Sequence, residues 1–139
     1  MKKNLLKRTA TMLLVLCLLA SLGLAYAVDT SDHAVARAGY TYARAELSIS
    51  STGEADCYGQ LRLLTNYTAS GTLTLQKKDG DSWTELKTWS ASGSSSVSCE
   101  KTWYVTSGNT YRVEYSMDIY NASGTYVDTA TAYSSIVNY

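Results

Sequence analysis

The chain has 139 residues, with twelve basic and twelve acidic side chains, no proline, no phenylalanine, twelve tyrosines and three tryptophans. Four of the basic residues lie within the first eight positions, whereas all twelve acidic residues follow residue 27. The remainder therefore carries eight positive and twelve negative charges. This mild acidity argues against nucleic acid and anionic lipid as partners. Serine, threonine, glycine and tyrosine dominate, which is typical of exported β-proteins.

The first 27 residues have the three parts of a secretory signal peptide. A basic head precedes an apolar run over residues 12–24, and Ala25-Tyr26-Ala27 follows as a small-x-small cleavage site. The run is shorter than the ~20 apolar residues that a spanning helix needs, which argues against a membrane anchor. We expect cleavage after Ala27, a mature chain without a membrane span, and a secreted, extracellular location.

Residues 28–39 show no useful periodicity, and we expect them to form a flexible leader before a domain that occupies residues 40–139. The leader contains His33, the only histidine of the chain. A lone histidine in such a segment lacks the fixed partners that catalysis requires, so we interpret it as a solvated bystander.

Residues 111–119 carry the clearest structural signal, because apolar and polar side chains alternate along them. Period-two alternation predicts a half-buried strand rather than a helix. Turn signals separate six further strand-like runs, and residues 90–96 are expected to form a flexible link. The seven predicted strands are residues 40–50, 54–66, 72–78, 82–89, 97–105, 111–119 and 125–137. This pattern predicts an all-β fold of two packed antiparallel sheets, a β-sandwich.

The second predicted strand has very small residues on its inward parity, where Ala55 and Gly59 flank Cys57. A glycine within a strand often marks the close approach of another group, so we expect a bulky side chain of the facing sheet to lie there. The inward faces of the fourth and seventh strands stay open. In the fourth strand, Leu86 and the two tryptophans have opposite parity.

Residues 108–113, GNTYRV, follow a G-x-x-Y-x-V pattern. This motif is similar to the entry to the sixth strand in immunoglobulin-like and fibronectin-type-III-like modules. Over residues 40–137 the chain resembles such sandwiches in secreted Gram-positive proteins. The resemblance implies that Tyr111 forms a tyrosine corner, in which the hydroxyl bonds the backbone a few residues upstream. One departure is that the antibody-type disulfide joins the second and sixth strands, whereas Cys99 lies on the fifth.

Cys57 and Cys99 are the cysteines that remain once the signal peptide is removed, and both have inward parity. In an exported protein this pattern predicts a disulfide. The bond would close a loop of about 42 residues and contribute ~4 kcal/mol in the chain-entropy model. A redox-active pair would need an exposed thiolate beside positive charge, and only Lys101 offers such a charge.

The sequence contains no nucleophile elbow, phosphate loop or spaced set of metal ligands. Asp79 and Asp81 flank a glycine in a hairpin signal, but two carboxylates are too few for a calcium cage. We therefore expect no enzymatic activity, no cofactor and no metal site.

Surplus aromatic side chains are the feature most suggestive of function. The candidates for rings outside the core are Tyr58, Trp83, Trp89, Tyr104 and Tyr120. Exposed rings on a sheet stack on sugars or dock protein partners. Rings also pair across strands and merely stiffen a sheet, and the sequence leaves both interpretations open.

The leading hypothesis is a non-enzymatic secreted module that binds a protein or envelope ligand outside the cell. An alternative is a carbohydrate-binding module, which predicts at least two coplanar rings on one face. A further alternative is a small exported toxin or antimicrobial protein. That alternative ranks last, because residues 28–139 contain no long apolar or basic amphipathic run.

Overall fold

The computed structural model of the protein describes residues 39–139. The expected signal peptide, His33 and all of the leader except its last residue lie outside the described residues. From residue 39 onward the structure contains strands and turns, and no helix there could cross a membrane. The strands are β1 (Tyr40–Ile49), β2 (Glu54–Leu63), β3 (Thr68–Asp79), β4 (Ser82–Ser94), β5 (Ser96–Tyr104), β6 (Thr110–Tyr120), β7 (Tyr126–Tyr133) and β8 (Val137–Asn138).

The eight strands form two antiparallel sheets. Sheet A has the order β1-β2-β5, and sheet B has the order β4-β3-β6-β7, with the short β8 also paired to β6. Hairpins join β1 to β2, β3 to β4 and β6 to β7, and the chain changes sheet at each other connection before β7. The prediction of an all-β chain with two antiparallel sheets, compatible with a β-sandwich, is confirmed.

β6 supplies the largest share of the buried apolar side chains. It pairs with β3 along one side and with β7 along the other. Every apolar residue of its alternating run is at most 1% exposed, as the alternation predicted. These residues are Tyr111, Val113, Tyr115, Met117 and Ile119. Sheet A covers them with the inward side chains of β2 and with Val97 and Cys99 of β5.

The close approach that was predicted at Gly59 is confirmed. A Cβ atom built on Gly59 would lie 2.5 Å from the ring of Tyr115 and 2.9 Å from Leu73, both on sheet B. The Tyr115 hydroxyl continues across the core and donates a 3.1 Å hydrogen bond to the carbonyl of Val97 on β5. One tyrosine therefore joins the two sheets through packing and a hydrogen bond.

β4 changes face at a β-bulge. Its register with β3 shifts between Leu75 and Gln76, so that Leu86 has no partner on β3. An extra residue in one strand reverses which parity points inward. Trp89 therefore packs against the core, whereas Trp83, although of the same parity, lies on the outer face of sheet B. The bulge explains why the sequence pattern of this strand was ambiguous.

Two segments predicted to be irregular belong to strands. β3 begins at Thr68 rather than at residue 72, and β4 continues to Ser94. The expected link over residues 90–96 is therefore strand except at Ser95, where the chain passes from sheet B to sheet A. The correction has a physical cause: pairing of β3 with β4 satisfies the backbone, and small polar side chains are well solvated on the outer face.

The last predicted strand, residues 125–137, is interrupted. Ser134 leaves the regular ladder and bonds Val113 of β6 twice. Its amide donates to the Val113 carbonyl at 2.9 Å, and its hydroxyl accepts from the Val113 amide at 2.8 Å. A side chain thus takes over part of the pairing, and the strand continues as the separate β8.

Tyr111 stands at the start of β6, and its hydroxyl donates a 2.6 Å hydrogen bond to the carbonyl of Thr106, five residues upstream. This is the contact that a tyrosine corner makes. The ring is buried, so the bond fixes the β5–β6 connection to the core.

Candidate functional site

The outer face of sheet B carries an arginine between two aromatic rings. The guanidinium carbon of Arg112 on β6 lies 4.3 Å from the ring centre of Trp83 and 4.3 Å from that of Tyr133. Trp83 approaches from β4 and Tyr133 from β7, so the three side chains extend across the whole sheet. Arginine favours such stacking because its planar guanidinium is attracted to the ring face. We refer to Trp83, Arg112 and Tyr133 as the stacked triad.

A buried amide holds the triad in place. Gln76 on β3 is only 6% exposed, and its oxygen accepts a 2.7 Å hydrogen bond from Nε of Arg112. The amide nitrogen of Gln76 in turn donates a 3.1 Å bond to Glu114. The carboxylate thereby fixes the orientation of the amide, which presents its oxygen to the arginine. The guanidinium is thus constrained by two rings and one hydrogen bond.

The charge of Arg112 has no direct counter-ion in the part of the chain that the structure describes. In that part the one ion pair joins Arg44 and Glu46 at 3.0 Å, on the opposite side of the molecule. Glu114 is bonded to the intervening glutamine rather than to the guanidinium. The terminal nitrogens of Arg112 are therefore available to an external acceptor.

Rows of hydroxyl groups continue from the triad along the same face. The register of β4, β3, β6 and β7 places serines and threonines side by side on successive outward rows. The hydroxyl residues of these rows are Thr68, Ser70, Thr72, Thr74, Thr88, Ser90, Ser92, Ser94, Ser116, Thr129 and Thr131. At the far end, the rings of Tyr120 and Tyr126 meet edge to face, with centres 6.2 Å apart. A polar surface with rings at both ends results.

Sheet A carries a different arrangement on its outer face. Arg44 lies over the ring of Tyr58 at 5.0 Å, and this arginine is neutralised by Glu46. The hydrogen bond to Tyr58 raises the pKa of Arg44 above its ordinary value. Arg62 lies over the ring of Tyr42 at 5.7 Å. Arginines thus cover the rings of Tyr58 and Tyr42, and Arg44 already has Glu46 as its counter-ion.

The five predicted ring positions do not form one platform. Trp83 and Tyr120 lie on the outer face of sheet B, at opposite ends, whereas Tyr58 lies on the outer face of sheet A. Tyr104 is 69% exposed at the end of β5. Trp89 packs against the core, because the bulge in β4 turns it inward. The positions of the rings in the sequence could not indicate that Trp83 stacks on an arginine.

The candidates from the sequence included Trp83 but neither Arg112 nor Tyr133. The face of residues 125–137 was not assigned, because threonine and alanine fit either side of a sheet. Pairing resolves it: Ala130 is buried, and Tyr133 stands opposite Glu114 on the outward row. Tyr133 lies three positions after Ala130, and residues at an odd spacing along a strand lie on opposite faces. This spacing was the signal in the sequence that could have placed Tyr133 outward.

The predicted disulfide is not formed. Cys57 and Cys99 are both buried free thiols. The register places Cys57 opposite Lys101 and Cys99 opposite Gly59, so the two cysteines are diagonal rather than directly paired. Burial, and then the nearby Asp56 and Cys99, raise the pKa of the Cys57 thiol to about 12. Burial also raises the pKa of Cys99. Burial thus favours the protonated, less nucleophilic form of both thiols.

The cleft beside the β2–β3 connection offers little to acid–base chemistry. This cleft of about 790 Å³ at one end of the sheets is lined by the β2–β3 connection and the β4–β5 crossing, and Arg62 is its only charged lining residue. A lone arginine supplies no acid–base pair. Over residues 39–139, no three His, Cys, Asp or Glu side chains come together as metal ligands.

No protein-family model matches the chain, and no curated protein matches its sequence.

Proposed function

We propose that this protein is a secreted, non-enzymatic binding module that binds its ligand outside the cell through the outer face of sheet B. The stacked triad carries the proposal. Tryptophan, tyrosine and arginine are the residues that most often dominate binding energy at interfaces. Here they meet on one open face, rigidly supported and with an unneutralised charge.

The proposed class is an immunoglobulin-like or fibronectin-type-III-like module. Two observations support it: the strand orders β1-β2-β5 and β4-β3-β6-β7, and the hydrogen bond from Tyr111 to the Thr106 carbonyl. Folds of this kind serve many functions, so the function is argued from the face and not from the class.

The proposal is tested by pull-down of the purified chain on bacterial cell walls, on insoluble polysaccharides and on an immobilised extracellular protein fraction. Trp83→Ala and Tyr133→Ala are compared with Tyr104→Ala, which removes a more exposed ring from the other sheet. Retention that both triad variants lose and the Tyr104 variant keeps supports the proposal. Retention that is unaffected by both triad variants overturns it.

A carbohydrate ligand is the second candidate, and the hydroxyl rows favour it. Sugar recognition combines ring stacking with many polar contacts, and both are present along this face. The expectation of two coplanar rings is not met by Tyr120 and Tyr126, which lie at 75° to each other. In the triad one face of each ring is against Arg112, and the exposed remainder of Tyr133 is the stacking surface that is left. Retention on polysaccharide but not on protein would select this candidate.

A further inference from the structure

We propose that the stacked triad binds an anionic sugar unit of a polysaccharide, with Arg112 taking its carboxylate or sulfate group. This inference rests on the proposed function and names the chemical class of its ligand. It is carried by the state of Arg112, which no other cation of the described chain shares: it is stacked on both sides, anchored at Nε, and without a counter-ion.

The anchoring determines which atoms face the ligand. Nε of Arg112 is occupied by the oxygen of Gln76, at 2.7 Å. The two terminal nitrogens remain, and they form the fork that binds two oxygens of a carboxylate or sulfate at once. Because the amide of Gln76 is itself fixed by Glu114, the fork is held before any ligand arrives. Little side-chain freedom is lost on binding, which favours affinity.

The surroundings distinguish an acidic sugar from an acidic peptide. Trp83 and Tyr133 each have one ring face against Arg112, and Tyr133, which is 51% exposed, leaves the rest of its ring surface for the apolar face of a sugar. The next outward rows offer hydroxyl groups, among them those of Thr88 and Thr131, and the row of Thr88 also contains Glu114. These hydroxyl groups match a chain rich in hydroxyls. A polyacidic peptide would find a further cation in Lys78, opposite Trp83, but would also meet the carboxylates of Glu85 and Asp118 on the same face.

Overall charge makes the prediction specific. The chain beyond residue 27 carries twelve acidic and eight basic residues. Such a protein repels anionic polymers at long range. Any retention on an acidic polysaccharide must therefore come from a local site, and it should depend on one arginine.

The test measures binding to two matched pairs of polymers: polygalacturonate with its methyl ester, and dextran sulfate with dextran. Each pair differs only in the anionic group. We expect retention on at least one acidic polymer and at least tenfold weaker binding to its neutral counterpart. Arg112→Gln should weaken binding to the acidic polymer by about tenfold or more, since hydrogen bonds to a charged group are lost.

Arg44→Gln is the matched control, because Arg44 also lies over a tyrosine ring but already has Glu46 as its partner. It should bind within twofold of the wild type. Circular dichroism checks that each variant is folded. If Arg112→Gln does not fold, the Nε–Hε resonance of Arg112 in the wild type is followed by NMR, and it should shift as the acidic polymer is added.

The outcomes separate this inference from the proposed function. Equal binding to the acidic and neutral polymers, unchanged in Arg112→Gln, overturns the inference while leaving a binding module. The same conclusion follows if the chain is retained on cell walls but on none of the four polymers. Arginine-dependent retention on polyglutamate alone also overturns it and indicates a protein ligand.

Discussion

Gly59→Ala tests the packing on which both sheets depend. The new methyl group would lie 2.5 Å from the Tyr115 ring and 2.9 Å from Leu73. Real Cβ atoms do not approach this closely, so the rings or the sheets must shift. Overpacking of a core costs about 1–3 kcal/mol, whereas the loss of glycine freedom in the unfolded chain returns about 0.4–1 kcal/mol. The difference between the two effects is about 0–2.6 kcal/mol, and within it we expect the free energy of unfolding to fall by about 1.5 kcal/mol.

The assay is urea unfolding followed by tryptophan fluorescence. With an m-value of about 1.5 kcal/mol per molar, the expected loss lowers the midpoint by about 1 M. Gly93→Ala is the matched control: Gly93 also lies in a strand, and a Cβ there would meet only Val97, at 3.4 Å. This control should be neutral or slightly stabilising.

A double-mutant cycle isolates the cause. Tyr115→Leu removes the ring that Gly59 accommodates, so the alanine should cost less in that background, with a coupling of about 1 kcal/mol. The reasoning is refuted if Gly59→Ala is as stable as Gly93→Ala, or if its cost is unchanged when Tyr115 is leucine.

Three further predictions follow from single contacts. Tyr111→Phe removes the bond to the Thr106 carbonyl and should cost about 0.5–1.5 kcal/mol in the same urea assay; an unchanged midpoint contradicts it. Without reductant, iodoacetamide should label Cys57 and Cys99 fully after unfolding and slowly in the native state, as measured by peptide mass; unlabelled peptides would indicate a disulfide. Burial, with smaller effects of Cys99 and Tyr58, raises the pKa of Tyr115 to about 12. Its contribution to stability is therefore complete below pH 10 and is lost as pH rises towards 12. Urea midpoints should fall over that range, less so in Tyr115→Phe; equal falls contradict the assignment.

Much of the fold could be predicted because alternation along a strand reports burial directly. In β6 every inward residue was identified, since one face packs on sheet A and the other meets solvent. The glycine at position 59 indicated a large neighbour, although only the structure showed that the neighbour is Tyr115. Local patterns were sufficient where a residue's side of the sheet was the only question.

They were not sufficient where pairing between distant strands decides the outcome. The serine-rich residues 90–94 form a strand because β3 supplies their hydrogen-bond partners, and no property of the serines themselves indicates this. The structure lacks the predicted disulfide for a similar reason. Both cysteines have inward parity, but Cys57 lies opposite Lys101 and Cys99 lies opposite Gly59. The two cysteines are therefore diagonal neighbours and not a direct pair.

The candidate site, too, could be predicted only in part from the sequence. The sequence by itself determined the alternating strands, the inward face of β6, and a surplus of rings that the core cannot hold. Only the tertiary structure decided that the bulge in β4 turns Trp83 outward, and that β7 brings Tyr133 to the other side of Arg112. The triad joins residues from three strands of one sheet, and its geometry depends on register. Register is fixed by the packing of the whole sheet, which no single stretch of sequence contains.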